Sequence, residues 1–167
     1  TQSLCETLDV DIALIGLLVD YNGSKSLESL AYFEIDNSYE KEYFKINDTP
    51  FEEVVLNDKE YHLQMGVDYY YPNSQFVKDK KVKAFYGFPL YDLEKNVIGC
   101  IALFSTRKIQ YVGQSKNLLK IFSNRVSAEI NTEKSFAKIK ESENKFKSLA
   151  ENLPSIVMIL NFTTNEL

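Results

Sequence analysis

Apolar and polar residues alternate in short blocks through the first two thirds of the chain, then settle into one long helical period. Ile12-Ala13-Leu14-Ile15-Gly16-Leu17-Leu18-Val19 is almost unbroken apolar sequence, the pattern of a central strand covered on both faces. Asp20-Tyr21-Asn22-Gly23 is a turn signal, and Leu30 to Ile35 reads as the returning strand of a hairpin. A third segment, Glu42 to Ile46, leads into Asn47-Asp48-Thr49-Pro50-Phe51-Glu52-Glu53-Val54-Val55. There Thr49 is placed to cap a short helix, Pro50 suits its first turn, and Glu52, three residues after Thr49, completes a capping box. Tyr69-Tyr70-Tyr71-Pro72-Asn73 closes the next stretch, and the lysine-rich run Val77 to Val82 predicts an exposed loop or helix. Ala84 to Phe88 and Val97 to Phe104 read as two further strands, with Pro89 to Asn96 as the hairpin connection between them.

From Ser115 to about Asn152 there is no Pro or Gly, and apolar residues fall at Leu119, Phe122, Val126 and Ile130, then at Ile139, Phe146, Leu149 and Leu153. This spacing predicts one long helix. Nearly forty helical residues would extend roughly 57 Å at the helical rise, so the distal part outruns the domain's own core and needs a partner. Ile139, Phe146 and Leu153 keep a seven-residue interval with Leu149 between them, the seam of a short parallel coiled coil weakened at Ser142. Glu141 with Lys145 and Glu143 with Lys147 are i,i+4 pairs in the favoured order. The pattern as a whole predicts an α+β fold: a central antiparallel sheet of five to six strands, helices on one face, and a long C-terminal helix. The divisions expected are a globular core over 1–113, the long helix over 114–152 and the start of another domain over 153–167.

Composition narrows the function classes. The 167 residues carry a formal charge of −5, which opposes a phosphate backbone and argues against nucleic acid as a partner. The charge is unevenly placed: residues 1–113 hold 18 acidic and 11 basic residues, net −7, whereas 114–167 hold 6 and 8, net +2. Cys5 and Cys100 are far apart and lack a CxxC or CxxH companion, which points to buried thiols in a reducing, cytoplasmic setting rather than a disulfide or a zinc site. No apolar run approaches the ~20 residues that span a bilayer. Thr1-Gln2-Ser3-Leu4 has no initiator Met or signal-peptide pattern, and Leu167 follows the start of a new strand-like run; both ends read as cuts within a longer protein.

Tyr43-Phe44-Lys45-Ile46-Asn47-Asp48-Thr49-Pro50-Phe51-Glu52-Glu53-Val54, Tyr71-Pro72, Phe85-Tyr86-Gly87-Phe88-Pro89-Leu90-Tyr91-Asp92 and Val97-Ile98-Gly99-Cys100-Ile101 occur in that order. Together they resemble GAF domains of bacterial sensor kinases and cyclases, over roughly residues 8–130. Phe51 stands where many such domains have Cys, and Tyr71 where they have Phe. Further on, Glu143 to Pro154 followed by Ile156-Val157-Met158-Ile159-Leu160 resembles the entry helix and first strand of a PAS domain. The resemblance implies a sensory module of a multidomain signalling protein, a homodimer joined through the C-terminal helix, and an output such as a histidine kinase or diguanylate cyclase downstream.

It also implies a small-molecule site between the sheet and the segments from about Phe44 to Tyr86, a tyrosine-rich stretch whose rings supply stacking area and orienting hydroxyls. Phe44, His62, Tyr71, Tyr86 and Phe88 are the expected lining residues of a pocket for an unknown small molecule. For each of them core packing is the competing explanation. Other chemistries find no support. His62 is the only histidine and has no companions at metal-ligand spacing, so no metal or haem site is expected. Neither cysteine is followed by histidine, as in bilin-bearing GAF domains, and Asn144-Lys145-Phe146 echoes the cyclic-nucleotide signature only by chance, outside the core. No phosphate loop or hydrolase motif occurs, so no catalytic residue is assigned. Two rival readings are a ligand-free dimerisation module and a GAF-fold redox enzyme using Cys100, on the pattern of the free methionine sulfoxide reductase.

Overall fold

A computed structural model describes Cys5 and residues 8–34, 42–109 and 113–152. Its elements are β1 (Ile12–Tyr21), β2 (Ser24–Glu34), β3 (Tyr43–Lys45), α1 (Phe51–Val55), β4 (Tyr61–Leu63), α2 (Val67–Tyr70), α3 (Gln75–Asp79), β5 (Ala84–Tyr91), β6 (Val97–Ser105) and α4 (Gly113–Asn152). The strands form one six-stranded sheet in the order β3-β2-β1-β6-β5-β4, and every neighbouring pair is antiparallel. The expected α+β fold with a central antiparallel sheet is therefore present. β1 lies at its centre, which is why that strand is apolar at successive positions: Ile12, Leu14 and Ala13, Ile15 serve opposite faces and all four are buried. β1 and β2 are joined by Asn22 and Gly23 alone, with φ of 50° and 75°, the two left-handed residues of a tight hairpin turn whose twist matches that of the strands.

Strand alternation sorts the core into two layers. Read across the sheet, Leu63, Phe85, Phe104 and Ile12 lie in register, and all belong to the cluster that packs under α1, α2 and α3 through Phe51, Val54, Val67 and Val77. One residue along, His62, Tyr86, Leu103, Ala13 and Phe33 lie in register. Four of these, all but His62, pack in the cluster containing Cys5, Leu119 and Phe122, the last two from α4. Helices consequently cover both faces, not one as expected. The short helices hold one face, and the start of α4 supplies apolar side chains to the other.

Other details depart from expectation. The proposed capping box at Thr49 does not form: Pro50 is the N-cap of α1, and the Thr49 hydroxyl donates to the Ile46 carbonyl at 2.6 Å. The Glu52 carboxylate does reach back, but to the Asp48 N–H at 3.3 Å, one residue ahead of the expected partner. β4, unforeseen, is a three-residue edge strand. β5 continues through Pro89 to Tyr91 because β4 pairs with it only from Phe85 to Gly87, so at Pro89 there is no strand on one side to miss the absent N–H. Val77 and Val82, expected in an exposed stretch, are buried, with Ser74 capping α3 by accepting the Val77 N–H at 3.3 Å. β1 and β6 approach closely where Gly99 lies opposite Leu17, next to Gly16, and a Cβ on Gly99 would lie 2.1 Å from the Gly16 carbonyl oxygen.

The chain divides into two compact units, Thr1–Ala128 and Glu129–Leu167. The second is described through residue 152, all of it helix, and there Phe136, Ile139, Phe146 and Leu149 are exposed. The expected PAS-like start at 153–167 lies outside the described residues.

Candidate ligand groove

On the face of the sheet that carries the short helices, a groove of about 430 Å³ opens between β3, the 47–51 turn and the start of α3. Three phenyl rings form its floor. Phe44 sits edge-on to Phe76 with centroids 5.5 Å apart, and Phe51 is 6.2 Å from Phe44 and 6.3 Å from Phe76. Behind them, Phe51 also meets Phe85 at 6.2 Å and Phe104 at 5.5 Å. The space directly above the sheet is thus filled by aromatic side chains, and the groove lies outboard of them. Its rim is polar, with Lys45, Asn47, Asp48, Asn73 and Gln75 exposed around it.

Local hydrogen bonds fix these walls. The 46–52 turn is tied by the Thr49 hydroxyl and by Glu52 as described, and it holds Asp48 at a φ of 58°. Gln75 donates its amide N–H to Asp79 at 2.7 Å. α3 is in turn pinned to β2: Lys80 meets the Glu34 carboxylate at 2.6 Å, and the same oxygen accepts the Tyr32 hydroxyl at 2.9 Å. Burial and the neighbouring Glu34 push the Tyr32 phenol far above its ordinary pKa, so it stays a hydrogen-bond donor. At the outer end Tyr43 stacks flat on Tyr21, centroids 3.9 Å apart.

The five residues expected to line one pocket do not come together. Phe44 is in the groove floor. Tyr71 packs against the same core cluster, beside the short helices but outside the groove. His62, Tyr86 and Phe88 are on the other face of the sheet. His62 is exposed, directly across from Tyr86 with ring centroids 5.8 Å apart, and Phe88 is 5.2 Å from Tyr86. The crevice beside His62 and Tyr86 measures only about 10 Å³, room for about one water molecule. What Tyr86 and Phe88 border is α4, through Leu119 and Phe122. Tyr86 donates its hydroxyl to Glu60 at 2.7 Å, and Lys116 of α4 meets the other Glu60 oxygen at 2.8 Å. Burial opposes ionisation of Glu60, but hydrogen bonds from Lys116 and Tyr86 and the Lys116 charge outweigh it and hold the carboxyl below its ordinary pKa. A second tie joins the Tyr91 N–H to the Ser127 hydroxyl at 3.1 Å.

The groove residues that sequence reasoning missed are mostly rim amides and charges. Ser74, the cap of α3, was a readable signal for the wall that carries Asn73, Gln75 and Phe76. Asn47 and Asp48 were read only as a helix approach. Among the described residues no cluster of His, Cys, Asp and Glu could hold a metal ion. Cys100 is fully buried and its thiol is pushed up by that burial, which leaves little thiolate to do chemistry. Cys5 is buried on the opposite face.

Residues 1–130 match the GAF domain family, and the chain belongs to it. GAF domains are regulatory modules of signalling proteins. Among solved structures, the GAF domain of an Acinetobacter phosphoenolpyruvate-protein phosphotransferase aligns with a TM-score of 0.62 at 12% identity, covering 76% of this chain and 75% of its own. The GAF domain of a two-component sensor histidine kinase from Bacillus halodurans gives 0.61 at 12% identity, over 81% and 94%. A type II free methionine-R-sulfoxide reductase from Thermoplasma acidophilum gives 0.56 at 15% identity, over 76% and 84%. At such identities the likeness speaks for the fold alone. No curated protein sequence matches the chain significantly. No helix among the described residues is long and apolar enough to cross a membrane.

Proposed function

We propose that this GAF domain is a cytoplasmic small-molecule-sensing module of a multidomain signalling protein, that the groove over Phe44, Phe51 and Phe76 is its binding site, and that α4 carries the response to an output domain. The observation behind this reading is the groove itself: about 430 Å³ lies within the range of small-ligand sites, and an apolar floor with a few convergent polar groups is their usual chemistry. β5 offers a route from the site to α4. Its Phe85 packs in the aromatic cluster beneath the groove, while Tyr86 and Phe88 pack with α4 and Tyr86 shares Glu60 with Lys116. A ligand shifts such a system only by the difference in its affinity for two arrangements. The exposed Phe136, Ile139, Phe146 and Leu149 suit a second copy of the chain as the partner of α4.

Native mass spectrometry of the gently purified chain tests the binding part. A retained small molecule is expected, and it should be lost when the exposed groove residue Gln75 is replaced by Trp. One observation favours a rival, the ligand-free dimerisation module: Phe51 and Phe76 already fill the space above the sheet. A chain that is dimeric by sedimentation yet empty, and whose melting temperature no small molecule raises, would establish that rival. A chain that stays monomeric at high concentration with α4 intact would remove the dimeric part of the proposal.

A further inference from the structure

We infer that α4 carries two overlapping seams, and that the two copies of the dimer proposed above exchange one seam for the other by turning about their helix axes. This rests on that reading for its partner, a second copy of the chain, and not on the groove. In the second unit Phe136, Ile139, Phe146 and Leu149 are between 55% and 72% exposed, large apolar side chains left open to solvent. A two-stranded coiled coil buries positions a and d of each heptad. Phe136 and Leu149 are thirteen residues apart, an interval that no pair of a and d positions spans, so one register cannot bury all four. The first register seats Ile139 at a, Ser142 at d, Phe146 at a and Leu149 at d, with Phe136 left at e. The second seats Phe136 at a, Ile139 at d, Glu143 at a and Phe146 at d, with Leu149 left at g. Each buries three of the four large side chains. They differ by a shift of three residues, which at two turns per heptad is a rotation of about 50° for each helix.

The residues where the seams cross keep the two registers close in free energy. Ile139, Ser142, Glu143 and Phe146 border one open hollow on the helix, and their i, i+3, i+4, i+7 spacing is that of the hole that receives a knob from a facing helix. In the first register this hole receives the partner's Ser142, which is too small to fill it. In the second it receives the partner's Glu143, whose carboxylate must reach back to water. Neither register has the advantage of a fully apolar heptad. Flanking charge sets the orientation. The first register places Lys138 at g and Glu143 at e, so in a parallel pair Lys138 meets the partner's Glu143, the g-to-e ion pair that specifies partner and direction. An antiparallel pair sets g against g, and so the flank of Lys138 and Lys145 against its own copy; Lys145 is already held on its own helix by Glu141 at 2.8 Å. The second register withdraws Glu143 from Lys138 into the seam, at a desolvation cost, which makes the first the resting state. The response that α4 delivers is then a turn of the helix, and a signal from the core has to supply only the difference between two packed states.

Disulfide trapping between copies of the full 167-residue chain tests the inference. Ser135→Cys reports the first register, which places 135 at d, and Ala150→Cys reports the second, which places 150 at a; each lies off the seam in the other register. Cys5 and Cys100 are buried, so the unsubstituted chain is the blank. Two neighbouring substitutions should then push the reporters in opposite directions: Ser142→Leu fills a d position of the first register, and Glu143→Leu fills an a position of the second. Ser142→Leu should raise the rate of trapping at 135 relative to 150 by at least about ten-fold, and Glu143→Leu should lower that ratio by a similar factor, the change that burying one leucine supplies. If the chain is dimeric by sedimentation and the two substitutions move the ratio the same way or leave it fixed, the two registers are overturned and the dimer stands. A dimer that traps at neither position, or a chain that stays monomeric at high concentration, removes the second copy from α4 and the inference with it.

Discussion

Replacing Phe51 by Ala probes the groove floor and the core together. The ring is 1% exposed and touches Phe44, Phe76, Phe85 and Phe104 with centroids between 5.5 and 6.3 Å. Truncating a buried phenyl costs roughly 3–5 kcal/mol through lost transfer energy and the cavity left behind. Four aromatic neighbours belonging to β3, α3, β5 and β6 cannot all collapse into that cavity, since three are strand residues held by the sheet ladder, so the upper part of the range is expected. For a cooperative unit of this size the loss corresponds to a fall in melting temperature of about 10–20 °C. With no tryptophan in the chain, far-ultraviolet circular dichroism in urea is the suitable readout, and the midpoint should fall with the slope unchanged. Phe76→Ala, at a half-buried position, should cost clearly less. A loss below about 1 kcal/mol for Phe51→Ala, under the usual cost of a buried large-to-small change, or a larger loss at Phe76, would refute the assignment of Phe51 as the hub of this layer.

Other outcomes follow from single contacts. Gly99→Ala should abolish or severely lower cooperative unfolding, because its Cβ meets the Gly16 carbonyl at 2.1 Å and neither central strand can retreat; a near-native melting curve would contradict the register. Tyr86→Phe should cost about 1.5–3 kcal/mol, the worth of a hydrogen bond to a charged acceptor, and the cost should largely vanish in a Glu60→Ala background, which removes the acceptor, as a double-mutant cycle would reveal. Since the folded-state pKa of Glu60 lies below its ordinary 4.5, its contribution is present above that value and is lost as pH falls through the folded one. Glu60→Gln should therefore flatten the acid limb of a stability-against-pH curve. Cys100, buried with its thiol pushed up, should resist thiol reagents in the native protein and react once urea unfolds it; rapid native labelling would revive the redox reading.

Sheet and long helix were legible because burial imprints period: two-sided burial left β1 a continuous apolar run, and Ser115 to Asn152 carries no helix breaker. β4 was not legible because a three-residue edge strand is held by backbone hydrogen bonds and needs no side-chain pattern. The capping box failed for a local reason, since the Ile46 carbonyl lies within reach of the Thr49 hydroxyl and competes for it. The candidate site was only partly readable. Alternation already places Tyr86 and Phe88 on one face of β5, but which face Phe44 shares depends on β3 pairing with β2 so that Phe44 lies opposite Leu27, a long-range fact. Nor does any periodicity mark Lys45, Asn47, Asp48 and Asn73 as a rim, because turns are polar whether or not they surround a ligand.

Sensing through the groove is the central claim, and hydrogen exchange read by mass spectrometry, with and without a low-molecular-weight cell filtrate, tests it most directly. The account predicts added protection at 43–51 and 73–77, with a smaller change in the first turns of α4 where Lys116 is tied to Glu60. No change in those two segments, or protection confined to His62 and Tyr86 on the opposite face, would contradict it.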